Sequence, residues 1–294
     1  MDKPMKVSYY PGCSLEETAQ AYDVSARKVC KNLGIDLEEI PKWSCCGSSP
    51  ALKMDRLLST SLGAHNLAIA QRQQLSEVVI PCPFCFRRLL SAKQEVQENE
   101  QVKTRVEDSI TAELSDDLSV FSLLGFLRYF VGLETIGANV KKPLKNLKLL
   151  SYYGCYLVKP ATVTGFDNPE NPVSMDQILE SLGAEVLQWD FKTECCGASL
   201  TISKTKTVCE LGGRLVREAT WQGADALVVA CQLCQANLDT RQTDMGRMDK
   251  KRYAMPVLYF TQLMGLAFGL PYKELGLKRH IVNPKNMLLS KDFL

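Results

Sequence analysis

Short apolar runs and longer stretches of helical spacing alternate along this chain. In the first half, a β-prone run ending at Tyr10 is followed by helical spacing over 17–33, a short strand over 35–40, a second helix over 55–74 and a buried-type strand over 78–81. A further helix follows. Strands that alternate with helices predict a parallel sheet covered on both faces, so the expected class is α/β, a small three-layer unit.

The whole pattern is met twice. Val7-Ser-Tyr-Tyr-Pro-Gly-Cys13 matches Leu150-Ser-Tyr-Tyr-Gly-Cys155, and Glu77-Val-Val-Ile-Pro-Cys82 matches Ala226-Leu-Val-Val-Ala-Cys231. Apolar stretches at 120–133 and 257–270 pair without a gap, each starting with Val and ending in Gly-Leu. Two homologous units are therefore expected, 1–140 and 147–294, joined through 138–146 and related by a pseudo-twofold axis. The apolar stretches are too short to cross a bilayer and are broken by Arg128 and Gln262, so they are expected to be domain-capping helices.

Composition narrows the classes. With 294 residues and 46% hydrophobic content the chain has room for two proper cores. Its 35 basic and 33 acidic residues leave a net charge of +2, no electrostatic footprint for nucleic acid. Residues 1–10 lack the apolar core of a secretory signal, so a reducing, cytoplasmic setting is expected.

Candidate chemistry lies in the cysteines. Ten of the twelve form two sets in the same order: Cys13, Cys45, Cys46, Cys82 and Cys85, then Cys155, Cys195, Cys196, Cys231 and Cys234. In each set 31 or 39 residues precede an adjacent pair followed by glycine, and 35 or 34 separate that pair from a CxxC. Disulfide scaffolds are short, secreted and poor in core, which this chain is not. Right-handed crossovers return parallel strands to one edge of a sheet, so each set is expected to emerge on one rim, where such sheets place ligands.

Five is an informative number. Structural zinc closes with four ligands, and a regular cubane takes four thiolates. Adjacent cysteines leave the backbone in different directions and suit different metal atoms. The surplus thus favours a polynuclear iron–sulfur cluster of unusual shape in each copy, with a zinc-stabilised module as the alternative.

At these residues the chain resembles the B subunit of heterodisulfide reductase, whose signature is the doubled cysteine pattern of the CCG domain. Both copies are complete, and Tyr153-Gly-Cys-Tyr-Leu-Val-Lys-Pro160, Glu194-Cys-Cys-Gly197 and Met255-Pro-Val-Leu-Tyr-Phe-Thr-Gln-Leu263 add to the likeness. The resemblance implies two noncubane [4Fe-4S] clusters, one held by Cys13, Cys45, Cys46, Cys82 and Cys85, the other by Cys155, Cys195, Cys196, Cys231 and Cys234. It implies catalysis at those clusters, the reductive cleavage of a disulfide such as that of coenzyme M and coenzyme B. It also implies partners, a ferredoxin-like C subunit and a flavin-containing A subunit. That fits a chain with no GxGxxG fingerprint and no C-x2-C-x2-C run of its own. Disulfide reduction takes two electrons while a cluster passes one, so two clusters facing each other across the pseudo-twofold axis would meet the need. The competing reading is an electron-relay CCG subunit of an organic-acid oxidase or a succinate dehydrogenase-type complex.

Other residues are read more plainly. Cys30 and Cys209 fall outside the pattern, on helical stretches, and are expected to be buried small hydrophobes. His65 is expected at a polar helix position and Lys159 as a solvated lysine, with contact to a cluster the alternative for each. Residues 95–117 hold eight acidic and two basic side chains, expected as a solvated helix or hinge. The two CxxC motifs enclose different residues, Pro83-Phe84 and Gln232-Leu233, so the two pockets are not expected to be equivalent.

Overall fold

The computed structural model describes residues 4–294. Residues 1–3, which open the expected first unit, lie outside the described residues. Two four-stranded parallel sheets carry the fold. The first comprises β1 (Met5–Tyr9), β2 (Ile35–Glu39), β3 (Glu77–Ile80) and β4 (Ser119–Ser122) in the order β2-β1-β3-β4. The second repeats it with β5 (Lys148–Tyr152), β6 (Glu185–Val186), β7 (Ala226–Val229) and β8 (Val257–Tyr259) in the order β6-β5-β7-β8. The α/β class and the duplication are as the sequence predicts.

Local chemistry explains the elements. Val78 to Ile80 and all of β7 are buried, as central parallel strands covered on both faces must be. The helix Gln20–Asn32 buries Ala21, Tyr22, Ser25, Ala26, Val29 and Cys30, one stripe at helical spacing. It starts later than the predicted 17–33, because a separate single turn, Cys13–Glu16, precedes it. Asp55 caps the helix Arg56–Gln71 by accepting from the Leu58 N–H at 2.7 Å.

The apolar stretches depart from expectation. Neither is wholly helical: 120–133 and 257–270 open as β4 and β8, which pair with β3 and β7 before the chain turns into helix. Their first residues, Val120-Phe121 and Val257-Leu258-Tyr259, are strand formers beside an open sheet edge, and the ladder takes them. Behind them lie the short helix Leu123–Gly125 with its π-helical continuation Phe126–Val131, and the helix Phe260–Ala267.

The halves meet reciprocally. Helix Gln20–Asn32 of the first half packs on Phe260–Ala267 of the second, while Ser174–Ser181 of the second packs on the Leu123–Val131 region of the first. The first contact stacks Tyr22 on Tyr259 with ring centroids 4.4 Å apart and joins Ser25 to Thr261 at 2.7 Å. The second joins Arg128 to Gln177 and Tyr129 to Ser174, each at 2.7 Å. Such exchange of equivalent surfaces is what a twofold relation produces. The segment linking the halves is pinned to the second, with the Lys141 and Lys142 N–H groups both donating to the Ala267 carbonyl.

Candidate metal centres

Every cysteine of the two sets follows the C-terminal end of a strand. Cys13 comes four residues after β1 and Cys82 two after β3, the neighbouring strands whose connections leave in opposite directions. That switch point is where open parallel sheets place their ligands. Cys45 and Cys46 arrive on the loop after β2, and Cys85 on the first turn of the helix Pro83–Glu98. In the second half Cys155, the Cys195–Cys196 pair, Cys231 and Cys234 follow β5, β6 and β7 in the same way.

None of the twelve cysteines is in a disulfide. The Sγ atoms of Cys46 and Cys85 stand 3.3 Å apart, and those of Cys196 and Cys234 stand 3.6 Å apart. Cys13, Cys45 and Cys195 are exposed and Cys155 half-buried, while the other six of the two sets are buried. Among the described residues no three His, Cys, Asp or Glu side chains gather closely enough to clasp a single metal ion. The sulfurs instead follow one another in a chain of contacts along a rim, Cys46 touching both Cys45 and Cys85, and Cys234 both Cys196 and Cys231.

Glycines shape that rim. Gly47 and Gly197 lie in the left-handed region, at φ 74° and 80°. The turn they make aims backbone N–H groups at sulfur: Gly47 at Cys45 and Ser48 at Cys46, Gly197 at Cys195 and Ala198 at Cys196. This is a cradle for negative sulfur, and it accounts for the glycine that ends each CCG. Gly12 and Gly154, also left-handed, let the strand end pass close to the CxxC. A Cβ at Gly12 would stand 2.8 Å from Cys85 Sγ, and at Gly154 3.0 Å from Cys234 Sγ.

Crowding polarises the thiols. The Cys45 thiol donates to Cys46, as does Cys85, and with help from Arg88 these hold Cys46 down to about 3. Cys45 and Cys85 are raised in return. Cys195 is lowered to about 6, chiefly by donation from Cys155, and Cys196 is lowered by donation from Cys234. Burial pushes Cys82 up, yet donation from the Cys85 thiol, its backbone N–H and Gln232 leaves it lowered on balance. Each set thus has protons standing in for a counter-charge. A cluster of iron cations would replace those protons, and the all-sulfur donor set is the chemistry it takes.

A second observation tests the fit. Seven buried side-chain polar atoms have no hydrogen-bond partner among the described residues, and three of them border the cysteines: Tyr22 Oη, Arg88 Nε and Gln232 Oε1. Tyr22 is within electrostatic reach of Cys231 and Cys82, Arg88 within that of Cys46, and Gln232 bonds Cys82 directly. Unsatisfied buried donors are costly, and the two that can donate here, Tyr22 Oη and Arg88 Nε, suit an anionic, sulfur-rich guest.

Of these, sequence reasoning singled out Gln232, as a difference between the two CxxC motifs, and two further residues escaped it. Tyr10 sits among Cys85, Cys46, Cys45 and Cys82, and Tyr152 among Cys234, Cys196, Cys155 and Cys195. Each hydroxyl donates to the carbonyl just before its cysteine pair, Ser44 at 2.7 Å and Glu194 at 2.6 Å. Tyr10 and Tyr152 are therefore structural equivalents, so the Ser-Tyr-Tyr match shifts by one residue and Pro11 faces Tyr153. The signal was present as Tyr-x-Gly-Cys in both copies. His65 is half-buried on the Arg56–Gln71 helix, Lys159 is ion-paired with Glu170 at 3.1 Å, and Cys30 and Cys209 are buried, each as expected. Cavity size does not mark the site. A cavity of about 1190 Å³ lies at the opposite edge of the second sheet, lined by Asp225, Lys250, Arg252 and Pro256.

Comparison with known proteins agrees with this geometry. The family described as the cysteine-rich CCG domain matches residues 7–89 and 149–239. The 8-methylmenaquinol:fumarate reductase membrane anchor subunit of Wolinella succinogenes is 34% identical over 283 residues, 94% of this chain and 96% of that protein. The B subunit of the ferredoxin/F(420)H(2)-dependent CoB-CoM heterodisulfide reductase of Methanosarcina acetivorans is 26% identical over 292 residues, 94% of each. A protein of Archaeoglobus profundus, named as like the B subunit of heterodisulfide reductase, is 25% identical over 98% of each chain. The crystal structure of a hypothetical protein from Helicobacter pylori superposes with a TM-score of 0.76 at 14% identity, covering 96% of this chain and 53% of that one. This chain thus spans about half of that structure, and the likeness is one of fold.

Proposed function

For a chain that belongs to the cysteine-rich CCG domain family, in the two-copy form of heterodisulfide reductase B subunits, we propose a catalytic role in the reduction or reversible formation of a disulfide. The chain is an iron–sulfur subunit of a larger oxidoreductase assembly of the heterodisulfide reductase type. In this proposal Cys13, Cys45, Cys46, Cys82 and Cys85 hold one noncubane [4Fe-4S] cluster, and Cys155, Cys195, Cys196, Cys231 and Cys234 hold the other. Residues 1–140 and 147–294 are the two units, and the setting is cytoplasmic. Among the described residues no helix is long and apolar enough to cross a membrane.

The observation that carries the reading is the doubled rim of five sulfurs, with the two CxxC motifs meeting where the halves join. Gln232, inside the second CxxC, donates to Cys82 of the first at 2.8 Å. Cleavage of a disulfide consumes two electrons and two protons and releases two thiols, and the clusters would supply one electron each. The chain's own residues hold the sulfurs in place: the CCG turns orient two per set, and the CxxC helix starts orient two more. Exposed Cys13, Cys45 and Cys195 leave an outer side of each rim open to a small disulfide or thiol such as coenzyme M-coenzyme B heterodisulfide. Electrons would come from a ferredoxin-like C subunit and a flavin-containing A subunit.

A second reading has its own support. The Wolinella relative, more similar than the Methanosarcina and Archaeoglobus proteins above, is named for fumarate reductase, which favours an electron-relay role beside an organic-acid enzyme. EPR of the reduced and oxidised protein, titrated with thiols and disulfides, separates the two. The catalytic reading expects a new, thiol-dependent signal. Clusters that cycle but ignore every thiol would leave the relay.

A further inference from the structure

The cysteine sets are copies, but their surroundings are not, and the differences fall on one side. Gln232 Nε2 donates to Cys82 Sγ at 2.8 Å across the junction of the halves. The amide is buried and its Oε1 has no partner; turning it round would set oxygen against an electron-rich sulfur, so nitrogen faces Cys82. The residue equivalent to Gln232 in the first CxxC is Pro83, which has no side-chain donor to return the bond to Cys231. Cys82 also accepts from the Cys85 N–H at 3.4 Å, whereas the helix after Cys231 has no side-chain cap.

Charge follows the same direction. Arg88, three residues beyond Cys85, is 8% exposed with its Nε unpartnered, and its charge is felt at Cys46 as well as at the half-buried Glu95, with which it forms no ion pair. Three residues beyond Cys234 stands Asn237, a neutral amide that donates to the Cys196 carbonyl at 2.7 Å. The second half does bury a cation, Lys192, but holds it against Asp176, so that pair adds no net charge.

We infer that the two sites differ in reduction potential, with the N-terminal site the more readily reduced because Gln232 and Arg88 stabilise added negative charge there alone. Hydrogen bonds to ligand sulfur and nearby positive charge both favour the reduced state of an iron–sulfur cluster. One electron from an external one-electron donor would then rest on the N-terminal site, with no bond made or broken, before the C-terminal site accepts another. This rests on the cluster assignment of the proposed function. Gln232 and Arg88 act through ligand sulfurs, so they are tuning residues.

The test is a dithionite titration of the iron-replete full chain followed by EPR, with Gln232→Leu, Arg88→Met and Arg88→Lys beside the wild type. The wild type should show two midpoints. Gln232→Leu and Arg88→Met should each shift the higher midpoint downward and leave the lower in place, while Arg88→Lys should keep the wild-type value. In a Cys195→Ser/Cys196→Ser protein the midpoint that remains should be the higher one; should that variant not fold, the single substitutions still decide. An iron-free preparation would overturn the cluster reading and this inference with it. Iron-replete protein with one common midpoint, or with the lower midpoint moving, would overturn this inference alone.

Discussion

The N-terminal and C-terminal rims keep some features in common and differ in others, and the division is instructive. Both keep five cysteines, a left-handed glycine before the first and after the pair, and a buried tyrosine bonded to the carbonyl before the pair. These shared parts are what gathering sulfur on one edge of a parallel sheet requires. The differing parts, Arg88 against Asn237 and Gln232 against Pro83, touch the sulfurs' electrostatics while leaving their placement alone. Geometry is duplicated, and charge is not.

The comparison breaks most sharply if the two sets do not act separately. Replacing Cys45 and Cys46 together by serine should remove about half of the iron and acid-labile sulfide per chain, and Cys195→Ser with Cys196→Ser should remove the other half. Loss of all metal from either variant would mean a single shared centre. Next comes the CCG glycine. At Gly47 an added Cβ would stand 2.6 Å from Ala51 Cβ and 2.7 Å from Leu62 Cδ1, whereas at Gly197 the nearest neighbours are 3.1 and 3.3 Å away. Gly47→Ala should therefore cost about 2–4 kcal/mol in urea unfolding and Gly197→Ala only about 1–2 kcal/mol. Equal costs would show that the turns are not packed as described.

A smaller effect sharpens the symmetry. Tyr10→Phe and Tyr152→Phe each delete one hydrogen bond to a carbonyl, at 2.7 and 2.6 Å, and should each destabilise by about 1 kcal/mol. The smallest concerns the tail after Pro271, which only the second half has. Its His280 is buried between Gln235 and Gln262, and burial holds it below the ordinary histidine value. Below about pH 6.5 the unfolded chain takes up the proton first, so stability should fall as pH drops through that value toward the lower folded one. His280→Gln should flatten this part of the stability–pH curve.

Much of this was legible in the chain itself. β3 and β7 are buried on both faces and read as continuous apolar runs, and the cysteine spacing exposed the repeat. β4 and β8 were hidden because each is three or four residues long at the head of an apolar stretch whose length reads as helix. Tyr10 and Tyr152 escaped because adjacent tyrosines allow two alignments, and only the strand ends choose between them. Contacts between halves leave no local trace. Gln232 and Cys82 are 150 residues apart, and nothing near either predicts that they touch.

The central claim is that each five-cysteine rim holds its own iron–sulfur cluster. Metal and acid-labile sulfide analysis of protein purified without oxygen tests it most directly. The account predicts about eight irons and about eight sulfides per chain, two clusters of four. Folded protein carrying zinc in place of iron, or no metal at all, would contradict it.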